Sequence, residues 1–363
     1  MSINEIIVYL MVVSMALGAV DRILGNRFGL GEKFEEGIMA MGSLALAMIG
    51  IICLAPVLAN LLRPVVVPLY QALGADPAMF AGTLLANDMG GAPLAQELAL
   101  TQEAGQFGGL IVGSMLGPTI VFTIPVGLGI IKAEDRPYLA TGVLAGVITI
   151  PIGSFAGGLA AGFPVGMVLR NLIPIALFAV LIALGLAFLP NGMVKGFQVF
   201  GRIIVIIITI GLAAAIIQKL TPLTLIPGMN PISEGVAIVG DIAVVLAGAF
   251  PLVYVITRVF KTPLMKLGHV LGMNDIAAAG LVATLANNIP MFQMLHDMDR
   301  RGKIINVAFA VSAAFVFGDH LGFTAGFDST MIFPMIVGKL VGGVTAVAVA
   351  MLITRKYKEE RHG

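Results

Sequence analysis

Stretches of about 20 predominantly apolar residues, the length of helix that crosses a bilayer, recur along nearly the whole chain. Windows of that length pick out 5–22, 37–62, 78–100, 107–131, 138–162, 167–190, 200–218, 235–257, 275–296, 303–326 and 329–354. In hydrocarbon every backbone amide and carbonyl needs an internal partner, so these stretches read as membrane helices. Composition agrees: 58% of the 363 residues are hydrophobic and 11% charged, where a soluble domain has about 25% charge. The chain has too few charges to cover a surface facing water. A balance of 21 Lys and Arg against 20 Asp and Glu excludes a nucleic-acid binder that works through bulk positive charge. The one cysteine, Cys53, excludes an internal disulfide, a cysteine zinc cage and an iron–sulfur cluster. The start MSINEIIVYLMVV lacks a basic region before its apolar run, so no cleaved signal is expected. With 45 Gly and 19 Pro, close helix contacts and interrupted helices are expected rather than simple anchors.

Segments 78–100 and 275–296 differ from the rest. Each carries polar residues and a proline at its centre, LLANDMGGAPLAQELA and TLANNIPMFQMLHD. Each follows a short stretch flanked by charge and proline, RPVVVPLYQALGADP and KTPLMKLGHVLGMND, which reads as a helix lying at the membrane interface. The correspondence extends further. Glu36-Gly37 and Gly42 answer Glu234-Gly235 and Gly240; Leu85-Ala86-Asn87 answers Leu285-Ala286-Asn287; Gly117 and Phe122-Thr123 answer Gly318 and Phe323-Thr324. The offsets, 234 − 36 = 198, 285 − 85 = 200 and 318 − 117 = 201, hardly drift.

Positive charge tests the topology. With Arg170 and Lys339 set aside inside spans, 19 basic residues remain, and if all eleven segments cross they divide 11 to 8. If 78–100 and 275–296 are re-entrant hairpins, they divide 17 to 2, with only Arg63 and Lys219 on the poorer side. The hairpin reading gives nine spans, the N-terminus outside and the C-terminus in the cytoplasm. An odd number of crossings between corresponding spans inverts the two halves. The predicted fold is therefore an all-α polytopic membrane protein with an inverted repeat, two re-entrant hairpins and two broken helices, the build of secondary transporters. Residues 5–162 form the first repeat with a leading span, 163–218 connecting spans, 219–355 the second repeat and 356–363 a cytoplasmic tail.

Ionisable groups inside spans are costly and mark candidate sites. The substrate-binding candidates are Asn87, Asp88 and Gln96 in the first hairpin, Asn287, Asn288 and Gln293 in the second, and Asp319 and His320 at the second broken helix. Gly117-Pro118 and Gly318-Asp319 would interrupt their helices and free backbone groups for a ligand. Asp241 and Lys339 form a candidate buried ion pair, and Glu97 a residue near a hairpin end. Met, with 20 scattered residues, reads as packing. No cofactor or metal is expected.

The segments LLANDMGGAPLAQELA, GSMLGPTIVFTIP, LVATLANNIPMFQMLHDMDRRGK and FVFGDHLGFTAGFDS resemble those of the EutH family, the ethanolamine permeases of bacterial ethanolamine-utilisation operons. The resemblance covers essentially the whole chain. It implies a permease in the bacterial cytoplasmic (inner) membrane that brings ethanolamine into the cell for catabolism, and no enzymatic activity. The layout also resembles concentrative nucleoside transporters, which suggests a homo-oligomer, although Gly90-Gly91-Ala92-Pro93-Leu94 lacks the polar pair that precedes Ala-Pro there. The rival readings are a proton- or sodium-coupled carrier of another small polar solute, a sensor or scaffold, and an intramembrane aspartyl hydrolase built on Gly240-Asp241 and Gly318-Asp319.

Overall fold

The computed structural model describes residues 1–355. The expected tail, with Lys356, Lys358 and Arg361 of the charge count, lies outside the described residues. Among the described residues all regular structure is helical. Eight helices are long and apolar enough to cross a membrane: α1 (Ile3–Ile23), the run Leu30–Ala72, α6 (Gln102–Ile130), α7 (Ala133–Ala160), α8 (Val165–Phe188), α9 (Lys195–Leu220), the first part of α10 (Ile232–Val270) and a last one that contains α15 (Ile332–Ile353). The run Leu30–Ala72 is α2 (Leu30–Met39) followed by α3 (Met41–Ala72). Between them stand shorter elements, α4 (Ala78–Leu84), α5 (Gly91–Leu98), α11 (Asp275–Ala286), α12 (Asn288–Met294), α13 (Arg300–Ala313) and α14 (Asp319–Phe327).

Local chemistry sets these limits. Ser2 and Glu5 form a capping box at the start of α1, the Glu5 carboxylate accepting from the Ser2 amide at 2.7 Å. Asn274 caps α11 by accepting from the Ala277 amide at 2.9 Å. Large apolar side chains stay exposed along the outside of the bundle, as with Leu169, Ile173, Leu177 and Leu184 on α8, a face suited to lipid and not to water.

Side-chain bonds gather the connections into two sets. In one, Asn4 donates to the Thr330 carbonyl at 2.7 Å, Gln106 donates to Asp328 at 2.7 Å, Arg63 donates to the Glu97 carbonyl at 2.6 Å, and Asn171 accepts from the Asp76 amide at 2.7 Å. In the other, the Asp21 carboxylate accepts from the amides of Phe28, Leu30 and Gly31, and Tyr254 donates to the Phe28 carbonyl. Asp135 there accepts from Lys303 and pairs with His296. Residues 4 and 21 of α1 thus belong to opposite sets. Arg170, set aside on sequence as lying within a span, sits in the first turns of α8 beside Asp76 and Thr101.

The segments 78–100 and 275–296 are helical hairpins whose ends are tied together. The Asp76 carboxylate accepts from Ala78 at 2.9 Å and from Leu100 at 3.0 Å, clasping the start of α4 to the end of α5. Burial pushes the Asp76 carboxyl above the usual range, against the lowering effect of these amides. At the second hairpin, the Asp299 carboxylate accepts from the Asn274 amide at 2.7 Å, and the Asn274 side chain donates to the Asp297 carbonyl at 3.0 Å.

Two expectations need correction. The stretches after Leu62 and Phe260 are not separate interfacial helices: α3 and α10 run through them without a gap, carrying Pro56, Pro64 and Pro68, and Pro251 and Pro263. A proline in a long helix bends it as readily as it ends it. The two interruptions also differ. The second opens fully, with residues 314–318 unwound between α13 and α14. The first stays helical: around Gly117-Pro118 the turns of α6 widen at 107–111, tighten at 112–114 and widen again at 119–123.

Candidate functional site

The unwound segment 314–318 is fastened to the second hairpin. The Phe315 amide donates to the Thr284 carbonyl at 3.2 Å and the Phe317 amide to the Leu285 carbonyl at 2.9 Å. Phe315 has a positive φ of 64°, a conformation that costs an L side chain about 1–2 kcal/mol. Its ring is held between Phe122, edge-on at 5.5 Å, and His320 at 5.2 Å. The glycines of the two breaks meet the hairpins in matching ways. A Cβ on Gly117 would lie 1.9 Å from the Leu85 carbonyl oxygen, and one on Gly318 would lie 2.1 Å from that of Ala286. Leu85-Ala86 and Leu285-Ala286 are the dipeptides matched in the sequence, and each break packs on the hairpin that precedes it.

A cavity of about 570 Å³ opens beside this junction. Lys33, Glu36 and Met39 of α2 line its mouth with Tyr254 and Thr257 of α10, and Asn287, Gly318 and Asp319 line its inner end. Lys33 and Glu36 form an ion pair. Asn287 caps α12, accepting from the Ile289 amide at 2.8 Å, and Asp319 begins α14. Deeper in, the tip of the first hairpin packs on α14, and Asp88 there lies within electrostatic reach of Asp319 and Lys339.

Several buried polar groups face this junction with capacity to spare. Asn87 is fully buried, and neither its side-chain nitrogen nor its oxygen has a partner. Asn288, also fully buried, donates to the Thr123 hydroxyl at 3.1 Å and leaves its oxygen unpartnered. A buried unsatisfied group costs about 1–3 kcal/mol, so these amides mark a place suited to a polar ligand. His320 is buried with Nδ1 3.0 Å from the Lys339 ammonium. Lys339 also donates to the Ser114 carbonyl.

Six of the eight residues singled out on sequence, Asn87, Asp88, Asn287, Asn288, Asp319 and His320, are therefore placed at or around one junction. Gln96 and Gln293 are not among them: both are exposed, on the second helices of their hairpins, and neither lines the cavity. The pairing of Asp241 with Lys339 is overturned. Lys339 is engaged by Ser114 and His320, while Asp241 is exposed on α10. Sequence reasoning did not place Glu36, Ser114, Thr123 or Lys339 in the site. One signal was available: a helix residue 118 would donate to the carbonyl of 114, and Pro118 cannot. Among the described residues no group of three or more His, Cys, Asp or Glu side chains could hold a metal ion.

A bundle of apolar helices folded around a buried, charged junction, with a cavity leading to it, is the construction of a membrane solute carrier. Comparison with known proteins narrows the class. Residues 3–353 match the family model described as ethanolamine utilisation protein, EutH, and the chain belongs to that family. It is 72% identical to a Listeria monocytogenes protein named probable ethanolamine permease EutH, over 98% of this chain and 95% of that one. It is 55% identical to an Escherichia coli protein of the same name, over 98% and 97% of the two chains. A Bacillus subtilis relative, the uncharacterized protein YxeR, is 51% identical over 98% and 96%. No solved structure matches the chain.

Proposed function

We propose that the protein is a permease that carries ethanolamine, as its ammonium cation, across the bacterial cytoplasmic membrane. The observation that carries this reading is the Asp319 carboxylate lining a cavity beside Asn287, on a helix against which the first hairpin's tip, with Asp88 and the unpartnered amide of Asn87, is packed. Ethanolamine is an amine of near-lysine basicity, so at neutral pH almost all of it is charged. The neutral fraction crosses lipid unaided; the cation needs a path. A carboxylate offsets the ammonium charge while the amides of Asn87, Asn287 and Asn288 serve its hydroxyl. The names of the Listeria and Escherichia relatives support the same substrate.

The membrane arrangement follows from the two sets of connections. We place the set rich in Lys and Arg in the cytoplasm, the N-terminus outside, and the two hairpins as re-entrant elements clasped at opposite faces. The broken pair α13–α14 then supplies a ninth crossing. Residues 5–162 and 219–355 act as inverted repeats joined by 163–218, and the Lys33–Glu36 mouth faces the cytoplasm. Assembly as a homo-oligomer remains a proposal from the fold analogy.

A paired-aspartate hydrolase finds no support in the geometry. Gly326 meets Ile242 and Gly322 meets Leu246, while Asp319 shares the cavity with Phe250. Asp241 therefore stands nine residues along α10 from the level of Asp319, about 13 Å at 1.5 Å per residue, too far for two carboxylates to share a proton.

The test is growth on low ethanolamine at acidic pH, where the neutral amine is scarcest, with expression checked by blot. Asp88→Asn should insert normally and lose saturable uptake. Asn287→Ala should weaken apparent affinity more mildly, since a neutral hydrogen bond contributes less than a charge-assisted one. Wild-type growth of Asp88→Asn under these conditions would refute the assignment.

A further inference from the structure

A second cavity, of about 480 Å³, lies where the connection from α1 to α2 meets α10. Arg27 and Phe28 line one side of it, and Tyr254, Val255, Arg258 and Val259 the other. Among its described lining residues none is acidic. Arg22 nearby is paired with Glu35, whereas among the described residues neither Arg27 nor Arg258 is bonded to a carboxylate. Asp21, the acid at this connection, is buried and turned inward, its carboxylate accepting from the amides of Phe28, Leu30 and Gly31. Arg258 is held in place: its guanidinium lies 4.3 Å from the centre of the Tyr254 ring, and the Tyr254 hydroxyl donates to the Phe28 carbonyl at 3.2 Å. A guanidinium stacked by its face keeps its N–H edge available for an oxyanion. The depth is specific as well. Helix α1 ends at Ile23, and the apolar span Ile232–Val259 ends one residue after Arg258, so both arginines stand at the hydrocarbon boundary, where lipid phosphates lie. Phe28, Val255 and Val259 beside them are exposed. An arginine that served topology alone would extend into water rather than pack over a ring in a shared cavity.

We propose that this pocket binds the phosphate of an anionic membrane lipid, with Arg27 and Arg258 donating to its oxygens and Phe28, Val255 and Val259 lying against the upper part of its acyl chains. Basic pockets beside membrane helices recognise anionic headgroups in this way. Two guanidinium groups with no acid between them favour a headgroup of net negative charge. A zwitterionic headgroup would bring its own ammonium toward both of them. The site stands apart from the substrate reading: it would hold lipid whatever solute the protein carries.

The experiment gives purified full-length protein in detergent either dioleoylphosphatidylglycerol or dioleoylphosphatidylcholine and counts bound lipid by native mass spectrometry. The wild type should retain phosphatidylglycerol in preference to phosphatidylcholine, and millimolar inorganic phosphate, which lacks acyl chains, should not displace it. The double variant Arg27→Gln/Arg258→Gln should bind phosphatidylglycerol at least about tenfold more weakly. The control is Lys132→Gln/Arg136→Gln, which removes the same charge from exposed residues outside the pocket and should bind like the wild type. An equal loss in the control would show diffuse attraction to surface charge and overturn the site. Equal retention of phosphatidylcholine would show apolar packing only, and full displacement by inorganic phosphate would assign the pocket to a soluble anion; either overturns the proposal. Both of these comparisons use the wild type alone, so the proposal is decided even if the double variant does not fold.

Discussion

Alanine at Gly117 or Gly318 would drive a methyl group into a backbone carbonyl of the adjoining hairpin. The built Cβ stands 1.9 Å from the Leu85 oxygen in the first case and 2.1 Å from the Ala286 oxygen in the second. Carbon and oxygen do not normally approach closer than about 3.3 Å, so the shortfall is roughly 1.2–1.4 Å. The atom in the way is main chain, which cannot rotate aside; hairpin or helix must move as a body. Overpacking of this kind costs typically about 1–3 kcal/mol, and each kcal/mol lowers a midpoint by roughly 2–4 °C. The control is Gly240→Ala, within α10, where nothing lies within 4 Å of the new methyl. There the better helix propensity of alanine, up to about 1 kcal/mol, should leave the midpoint level or raise it. Cys53 supplies the assay. It is the single cysteine, wholly buried, so its reaction with a maleimide dye on heating reports unfolding in detergent. Gly117→Ala and Gly318→Ala should each melt several degrees below wild type. If both melt with wild type, or if Gly240→Ala falls as far, the close approach of break and hairpin is wrong.

Phe315 offers a reversal of the usual order: because its φ is 64°, Phe315→Gly should melt higher than Phe315→Ala by about 1 kcal/mol, both standing below wild type through loss of the ring. The same dye measures it. At the other face the Asp135–Lys303 pair is nearly buried, with 1% and 10% side-chain exposure. Asp135→Asn or Lys303→Met alone should destabilise by about 3–5 kcal/mol, and the double variant by much less than the sum; additive losses would show that the pair is not coupled. Topology is open to cysteine labelling in intact cells on the buried Cys53 background: the exposed residues 63 and 103 should react from outside, the exposed residues 134 and 300 only after permeabilisation. Residues 63 and 103 on opposite faces would sink the hairpin arrangement.

What was legible in the sequence was whatever hydrocarbon makes conspicuous. A carboxylate in an apolar window is expensive, and that alone drew attention to Asp88 and Asp319. Proline and asparagine at the centre of 78–100 and 275–296 set these segments apart from the other windows, and both fold as hairpins with tied ends, at Asp76–Leu100 and Asn274–Asp299. What stayed hidden depends on which way a side chain points. Gln96 and Gln293 share hairpins with Asn87 and Asn288, yet α5 and α12 turn them to exposed faces. Lys339 showed itself as a lone base in a span, but its true partners lie 225 and 19 residues away in sequence, and no spacing rule links them. The unequal breaks were hidden too. Gly117-Pro118 and Gly318-Asp319 look alike as interruptions, but α6 absorbs its break by changing pitch, whereas 314–318 unwinds around a strained phenylalanine.

The uninterrupted length of α3 and α10 has a mechanical consequence. At 32 and 39 residues they measure about 48 and 58 Å, against a hydrocarbon layer of about 30 Å, and each ends a few residues short of a hairpin. The part beyond the bilayer is a lever arm continuous with the part inside, with Pro64 and Pro68 of α3 and Pro263 of α10 as the points at which it would flex. A tilt of 10° at the fulcrum would carry the end of a 15 Å arm sideways by roughly 2.6 Å, the scale of a one-residue step along a helix axis or more. The base of each hairpin, at Asp76 or Asn274, is attached where that displacement is greatest. Rocking of one long helix in the lipid would thereby reach the element whose far end carries the polar tip, and membrane thickness would become an input to transport.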